Sequence, residues 1–505
     1  MVCKIVNLVL GFGYRLLFLR ILSVQYLGIN GLFTNILGVL ALAELGITNA
    51  IIYRFYEPIS EDNVEKVGQL MRFFKKAYWV IALVIILLGC LTLPFLNYFI
   101  KDSAEIPTDV NLYLIFLLFL LQTASTYLFS YKLTLLTADQ KQYQYSIIST
   151  AISFGRYVVQ TVILVISKDY TLTLLVGIGS TILLNLISSQ WVTKQYSSVF
   201  CVSGTITTEE KKAIYSDTSA AMLHKIGGTV LTSTDNLLLS KFVGLTVTGV
   251  YSNYALVISS LSGIVGMLFS SFTASLGNAH VTLEKEQKYA LYRKSLFINF
   301  GIAGLASVCL FTLIDNFIVI WLEEPLLLGE FTVALLCIQF FLESVRCVTA
   351  SYTMACGLFV RDRIRPAIEA VLNIVISIIA LNYIGTAGIF LGTIISCMLT
   401  VFWREPYLLY KYIFEISLWE YWIEYMKNVG IIFVSMLFIQ CMKKIAFQDQ
   451  INLVTWLSNA VLSVVVYCIV HFVVFHRSSE YKYFLSISKN YLNRMIHKYK
   501  KDSKL

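Results

Sequence analysis

Charge is what this chain has least of. Only 14% of its 505 residues are Asp, Glu, Lys or Arg, against about 25% in an ordinary soluble domain. Proline is scarce too, at 6 residues, and no Ser- or Gly-rich run interrupts the chain. Neither a flexible linker nor a large soluble domain is expected. The 10 cysteines are scattered, and none forms a Cys-x-x-Cys pair. Most lie in apolar runs and read as small hydrophobes, which argues against a metal site or a disulfide framework. No Gly-Lys-Ser/Thr phosphate loop and no metal-spaced pair among the 5 histidines is present. ATP-driven transport within this chain is therefore not expected, and neither is a cofactor. At the N-terminus, VNLVLGFGYRLLFLRILS carries Arg15 and Arg20 and has no small-residue cleavage site behind it. It reads as a first spanning helix and not as a cleaved signal.

Apolar sequence is what remains. Hydrophobic residues make up 57% of the chain, and the mean hydropathy is +0.74. So much apolar surface does not fit in one soluble core, and the fold class expected is an all-α polytopic membrane protein. About fourteen runs are long enough to span: near 5–25, 28–52, 77–100, 109–132, 145–166, 170–192, 217–240, 246–275, 296–321, 330–353, 366–382, 384–403, 425–442 and 452–475. Lys and Arg alternate across them. Arg54, Lys66, Arg72, Lys75 and Lys76 follow the second run, and Lys285, Lys288, Arg293 and Lys294 follow the eighth. The opposite loops hold only Lys101, Lys168, Lys241, Lys443 and Lys444. The positive-inside bias then places both termini in the cytoplasm and requires an even number of spans. The same bias accounts for the net charge of +9 without a nucleic-acid partner. The opposite loops, such as KDSAEIPTD and ISKDY, are short, which is the pattern of a transporter and leaves no room for an external catalytic domain. The tail KYFLSISKNYLNRMIHKYKKDSKL alternates aromatic and basic residues, as does an amphipathic helix on an anionic leaflet.

Two stretches repeat one another. Gly31-Leu32-Phe33-Thr34-Asn35 in YLGINGLFTNIL matches Gly249-Val250-Tyr251-Ser252-Asn253 in FVGLTVTGVYSNYAL. Each opens the second helix of a six-helix half, and internal symmetry of this kind belongs to transporters with two lobes and a site between them.

The segment VQYLGINGLFTNILGVLALAELGITNAIIYRFYEPISEDNVEKVGQLMRFFKKAY resembles the front of polysaccharide transporters of the Wzx type, the flippases of O-antigen and capsule repeat units. STDNLLLSKFVGLTVTGVYSNYALV is similar to their second-half counterpart. That family lies in the superfamily that also holds the MATE exporters and the MurJ lipid II flippases. The resemblance implies a MATE-like arrangement: an N-terminal six-helix lobe over 1–196, a C-terminal six-helix lobe over 197–412, two additional transmembrane helices over 413–478 and a basic cytoplasmic tail over 479–505. It implies a bacterial inner-membrane location and a cargo of undecaprenyl-diphosphate-linked oligosaccharide. It also implies membrane lipids as surroundings and a polysaccharide polymerase and chain-length machinery as partners. Such members commonly have a basic lead of about a dozen residues before the first helix, whereas this chain starts almost inside it.

An ionisable residue at membrane depth costs about 3 kcal/mol and usually faces a bundle interior. A diphosphate crossing the membrane needs cations, and the arginine fork suits it best. Arg15, Arg20 and Arg156 in the first lobe, with Lys225 and Arg346 in the second, form the cationic set expected to meet cargo. Arg20 and Lys225 stand close to helix ends, where snorkelling is the competing role. Glu343 and Arg346 share one helix face, so pairing competes with phosphate contact. Glu44, Asp235 and Glu343 are the candidates for ion or proton coupling, against a static role as partner of a neighbouring arginine. Asn35, Asn49, Asn236 and Asn253 read as interhelical hydrogen-bonders, and Gly388 and Gly392 as sites of close helix approach. The competing reading is a MATE-type exporter of small molecules coupled to Na⁺ or H⁺. A drug cation needs an acidic cavity, and the expected set here is cationic. The chain is not expected to be an enzyme.

Overall fold

The computed structural model describes residues 2–41, 47–214, 228–229, 233–270, 283–322, 326–358, 361–446 and 451–486. These residues are almost wholly helical. In chain order the principal helices are α1 (Val2–Ile21), α2 (Val24–Leu40), α3 (Ile47–Ser60), α4 (Val64–Thr92), α5 (Leu112–Ser130), α6 (Leu133–Ala138), α7 (Gln142–Ser167), α8 (Tyr170–Gln195), α9 (Ser197–Cys201), α10 (Leu245–Ser270), α11 (Lys285–Leu322), α12 (Glu330–Ala355), α13 (Arg365–Ile384), α14 (Thr386–Leu399), α15 (Val401–Leu409), α16 (Trp419–Ala446) and α17 (Leu453–Phe475). Among the described residues, 11 helices are long and apolar enough to cross a membrane, and α2 is a shorter apolar helix. The chain is an all-α, multi-pass membrane protein, and the fourteen expected spans fit this architecture.

Several helices overrun the apolar stretches that announce them. α4 begins at Val64 and not near 77, and α11 begins at Lys285 and not near 296. Hydropathy falls where charges appear, but a helix needs only good formers and a cap. Asn63 supplies one by accepting from the Lys66 amide at 3.0 Å, a contribution of about 1 kcal/mol. The second expected span, 28–52, is described as α2 and α3, and residues 42–46, with Glu44 among them, lie outside the described residues. Most of the seventh, 217–240, lies outside them as well.

Contacts divide the chain into two compact units. The first comprises Met1–Ser252 and Arg363–Gly392, and the second Asn253–Asp362 and Thr393–Leu505. The core of the first is aromatic: Phe33, Phe55, Phe74 and Phe116 are fully buried, with Phe33 against Phe116 and Phe55 stacked on Phe74. Its rim is apolar but open. Along α4, Trp79, Val80, Leu83, Leu87 and Leu91 are exposed, which is the face a helix turns to hydrocarbon. Tight turns set the path between helices. Lys168 adopts φ 53° at the end of α7, and Asp169 caps α8 through the Leu172 amide at 3.0 Å.

The two repeated stretches pack directly on each other inside this unit. A Cβ on Gly28 would lie 2.2 Å from the Leu245 carbonyl oxygen, and one on Gly249 would lie 2.2 Å from the Val24 carbonyl oxygen. Only glycine lets backbones approach so closely. The start of α10 is held from a second side. Glu105 accepts from the amides of Leu245 and Thr246, the Lys101 amide donates to Ser240 O at 3.1 Å, and the Ser240 hydroxyl donates to Phe99 O at 2.8 Å. A carboxylate is favourable at a helix N-terminus, where unpaired amides concentrate. The α13–α14 hairpin meets the expectation for its glycines. A Cβ on Gly388 would fall 2.3 Å from Ala380 C, and one on Gly392 would fall 2.2 Å from the Ser377 Oγ.

The second unit centres on Tyr292, Phe300, Tyr352, Phe414 and Tyr421, all buried. α17 opens with a capping box in which Asn452 and Thr455 satisfy each other's amides, two orphan donors closed at once. The first turns after α17 dock on α11 through Glu480 with Arg293 at 3.0 Å and Tyr483 beneath Lys294 at 4.2 Å. The basic tail from 487 onward lies outside the described residues.

Candidate functional site

A cavity of about 740 Å³ opens in the first unit, and among the described residues neither an acidic nor a basic side chain lines it. Its polar wall comes from Gln122, Thr126, Ser130, Thr134 and Thr137 on α5 and α6, and Thr34, Thr181 and Tyr145 face it from other helices. Several of the hydroxyl protons are already committed. Thr126 donates to Gln122 O at 3.2 Å, Thr134 to Tyr131 O at 2.6 Å and Thr181 to Gly177 O at 3.0 Å. A hydroxyl that donates to its own helix keeps its lone pairs free, so these oxygens present acceptors. Gln122 donates to the Thr181 hydroxyl at 3.0 Å and ties α5 to α8 across this wall. None of these residues is charged, and none belongs to the set expected from sequence. The signal was there: Gln122, Thr126, Ser130 and Thr134 recur at intervals of four in LLQTASTYLFSYKLTLLT, which draws one polar stripe along apolar helix.

Arg15 and Arg156 both belong to this unit, on α1 and α7. Tyr14 and Tyr157 join the two helices with ring centroids 5.4 Å apart. The Arg156 guanidinium lies over Tyr157 at 4.4 Å, and its buried Nε has no hydrogen-bond partner. Among the described residues no carboxylate pairs with it. Arg15 donates from Nη2 to the Ser252 hydroxyl at 2.5 Å. Arg20 stands exposed in the last turn of α1. Asp235 is buried, with 3% exposure. Lys225 and Glu44 lie outside the described residues.

In the second unit the neighbour expected of Arg346 is not the one it takes. Its fork engages Glu405 of α15, Nε to Oε2 at 3.2 Å and Nη2 to Oε1 at 2.8 Å. Glu343, three residues before it, is exposed and accepts instead from Gln339 at 3.2 Å. Asp315 accepts from the buried Tyr254 hydroxyl at 2.6 Å. Asn35 donates to Gly31 O of its own helix at 2.8 Å, a bond within the helix and not between helices. The Asn49 side chain is outside the described ones.

No protein-family profile matches this chain, and no curated protein does. Solved structures do match. A lipid II flippase MurJ in an inward closed conformation superposes with a TM-score of 0.67 at 14% identity, covering 94% of this chain and 98% of that one. A multidrug-resistance MATE transporter of the MOP superfamily, inward-facing, gives 0.55 at 15% identity over 78% of this chain and 95% of its own. The chain shares its fold with these MurJ and MATE structures. A MOP superfamily transporter from Pyrococcus furiosus, described as having a binding pocket of reversed polarity, gives 0.53 at 14% identity over 79% of this chain and 91% of its own. At these identities the likeness establishes architecture alone, and the chemistry rests on the residues described above.

Proposed function

We propose that this protein is a flippase that moves undecaprenyl-diphosphate-linked oligosaccharide repeat units across the bacterial inner membrane by alternating access between two six-helix lobes, with ion coupling. Both termini are cytoplasmic in this reading, and a polymerase and chain-length machinery act on the product. The observation that carries it is Arg156. A guanidinium with a buried, unbonded Nε and no carboxylate partner among the described residues is poised to accept an anion, because an unsatisfied buried donor costs about 1–3 kcal/mol. A diphosphate supplies what is missing, in the bidentate geometry arginine favours. The hydroxyl-lined cavity supports the other half of the cargo. Its acceptor oxygens suit sugar hydroxyls, which bring protons to donate, and Tyr78, Tyr127 and Tyr145 add ring faces for sugar carbons. α7 contributes Tyr145 to the cavity and carries Arg156 about 16 Å further along its axis, a spacing that suits a sugar chain joined to a diphosphate. Asp235 is the described carboxylate best suited to ion coupling, and Glu44 and Glu343 remain the other members of that proposal. A lipid II flippase is among the proteins that share the fold, which is the same class of cargo.

The test is a strain lacking its own repeat-unit flippase. The wild-type chain should restore surface polysaccharide. Arg156→Ala should lower it about ten- to a hundredfold, as expected for losing one charge-assisted contact of about 1.5–3 kcal/mol, while lipid-linked units accumulate inside. Arg156→Lys should retain part of the activity, and both variants should show wild-type membrane yield. Normal polysaccharide with Arg156→Ala, or Na⁺- or H⁺-driven export of a cationic dye by the wild type, would overturn the reading.

A further inference from the structure

A second recess lies on the outside of the first unit, about 990 Å³ in volume, between α4 and the connector that follows α9. Among the described residues, four of its lining side chains are cationic, Arg72, Lys75, Lys76 and Lys211, and none is acidic. Its far wall is apolar, with Trp79 and Val80 both more than half exposed. Residues 72, 76 and 80, and 75 and 79, are spaced by four, so one stripe of α4 passes from cations to apolar side chains. The change falls where the charged start of α4 gives way to its apolar stretch, with a tryptophan at the boundary. That is the depth at which headgroups meet acyl chains.

The recess is held in shape. A Cβ on Gly68 would lie 2.5 Å from Val202 Cβ and 2.7 Å from Val199 O, so the connector is seated against α4. Lys66 pairs with Glu210, and Glu210 and Thr207 cap each other's amides at 3.0 and 3.3 Å. The Lys66 hydrogen bond, followed by those of Thr207, holds the Glu210 carboxyl below its ordinary range, so the acid beside the recess is already engaged. The four cations share this one recess, with Lys75 Nζ 5.5 Å from the Trp79 ring centre. Behind them Lys132, which donates to Thr193 at 2.7 Å, is held below its ordinary pKa by burial and then by the charge of Lys75.

We infer that this recess is a binding site for an anionic phospholipid, with the phosphate among Arg72, Lys75, Lys76 and Lys211 and an acyl chain along Trp79 and Val80. The site is separate from Arg156 and does not depend on the cargo proposed above. Cations alone would suit a free phosphate as well. The apolar wall continuous with the cations selects an amphiphile.

The experiment uses the full chain in phosphatidylcholine nanodiscs with and without phosphatidylglycerol, counting retained lipids by native mass spectrometry. The wild type should retain phosphatidylglycerol over phosphatidylcholine. The triple variant Arg72→Gln, Lys75→Gln, Lys76→Gln should lose that preference ten- to a hundredfold, since each basic residue near an anionic surface contributes roughly a fivefold factor. Lys75→Arg with Lys76→Arg should keep it, which separates charge from folding. Inorganic pyrophosphate should compete only weakly, because it lacks the chain that fills the apolar wall. Equal retention of the two lipids by the wild type, an unchanged preference in the triple variant, or full displacement by pyrophosphate would each overturn the proposal.

Discussion

Arg346 shows how much a single residue's meaning depends on a partner far along the chain. Its bidentate pair with Glu405 leaves Arg346 25% and Glu405 7% exposed, so the carboxylate is the more buried of the two. Removing one member strands the other, a loss of about 3 kcal/mol or more. Arg346→Ala is therefore expected to lower the thermal midpoint in detergent more than the double variant Arg346→Met, Glu405→Leu, which removes both charges together. Equal loss in the two would show that the pair is not what holds α12 to α15. Sequence alone supplied Glu343 as partner because three residues separate the two, and local spacing is all that a helix pattern records. Glu405 is 59 positions away, and nothing in composition or period points to it. Glu369 is the contrary case: its partner Arg365 is four residues before it on the same helix, so that pair is written locally. Arg156 was legible for a different reason. A cation in the middle of an apolar run is conspicuous wherever it faces, whereas the threonines and Ser130 of the cavity are small, of types common in membrane helices and silent unless their interval of four is counted.

At the level of helices, the repeated stretches carry the sharpest consequence. Gly28 and Gly249 each meet a carbonyl oxygen of the other helix, so a side chain at either position has nowhere to rotate. Gly28→Val and Gly249→Val are each expected to cost at least about 3 kcal/mol, the upper range of overpacking, seen as lost monodisperse protein in fluorescence-detected gel filtration. Gly179→Val in α8, where a Cβ meets nothing within 4 Å, should behave nearly as wild type. If all three variants run alike, backbone contact at the crossing is not limiting. The likeness of the two stretches was readable as letters; that they meet was not, because similarity in sequence carries no distance. Helix extents were likewise only half visible. Apolar length marks the part of α4 and α11 that lies in lipid, and the capped, charged turns before it have no hydropathy signal at all.

For the molecule as a whole, composition alone was enough to announce a helical membrane protein, because burying every backbone donor and acceptor in lipid leaves few other solutions for so apolar a chain. The clustering of cations predicts its orientation. Alkaline phosphatase fused after Asp102 or Asp169 is expected to be active, and fused after Lys211 or Arg363 inactive, while a fluorescent protein at the C-terminus should mature. The reverse pattern would turn the molecule over and place the basic recess of α4 on the other leaflet. Within the first unit, the contact between α2 and the start of α10 also bears on movement. Where side chains meet, rotamers can be exchanged and surfaces slide by small steps. Where one backbone rests on another there are no rotamers to exchange, so the two helices can turn about the point of contact or part entirely. That crossing has the mechanics of a fulcrum.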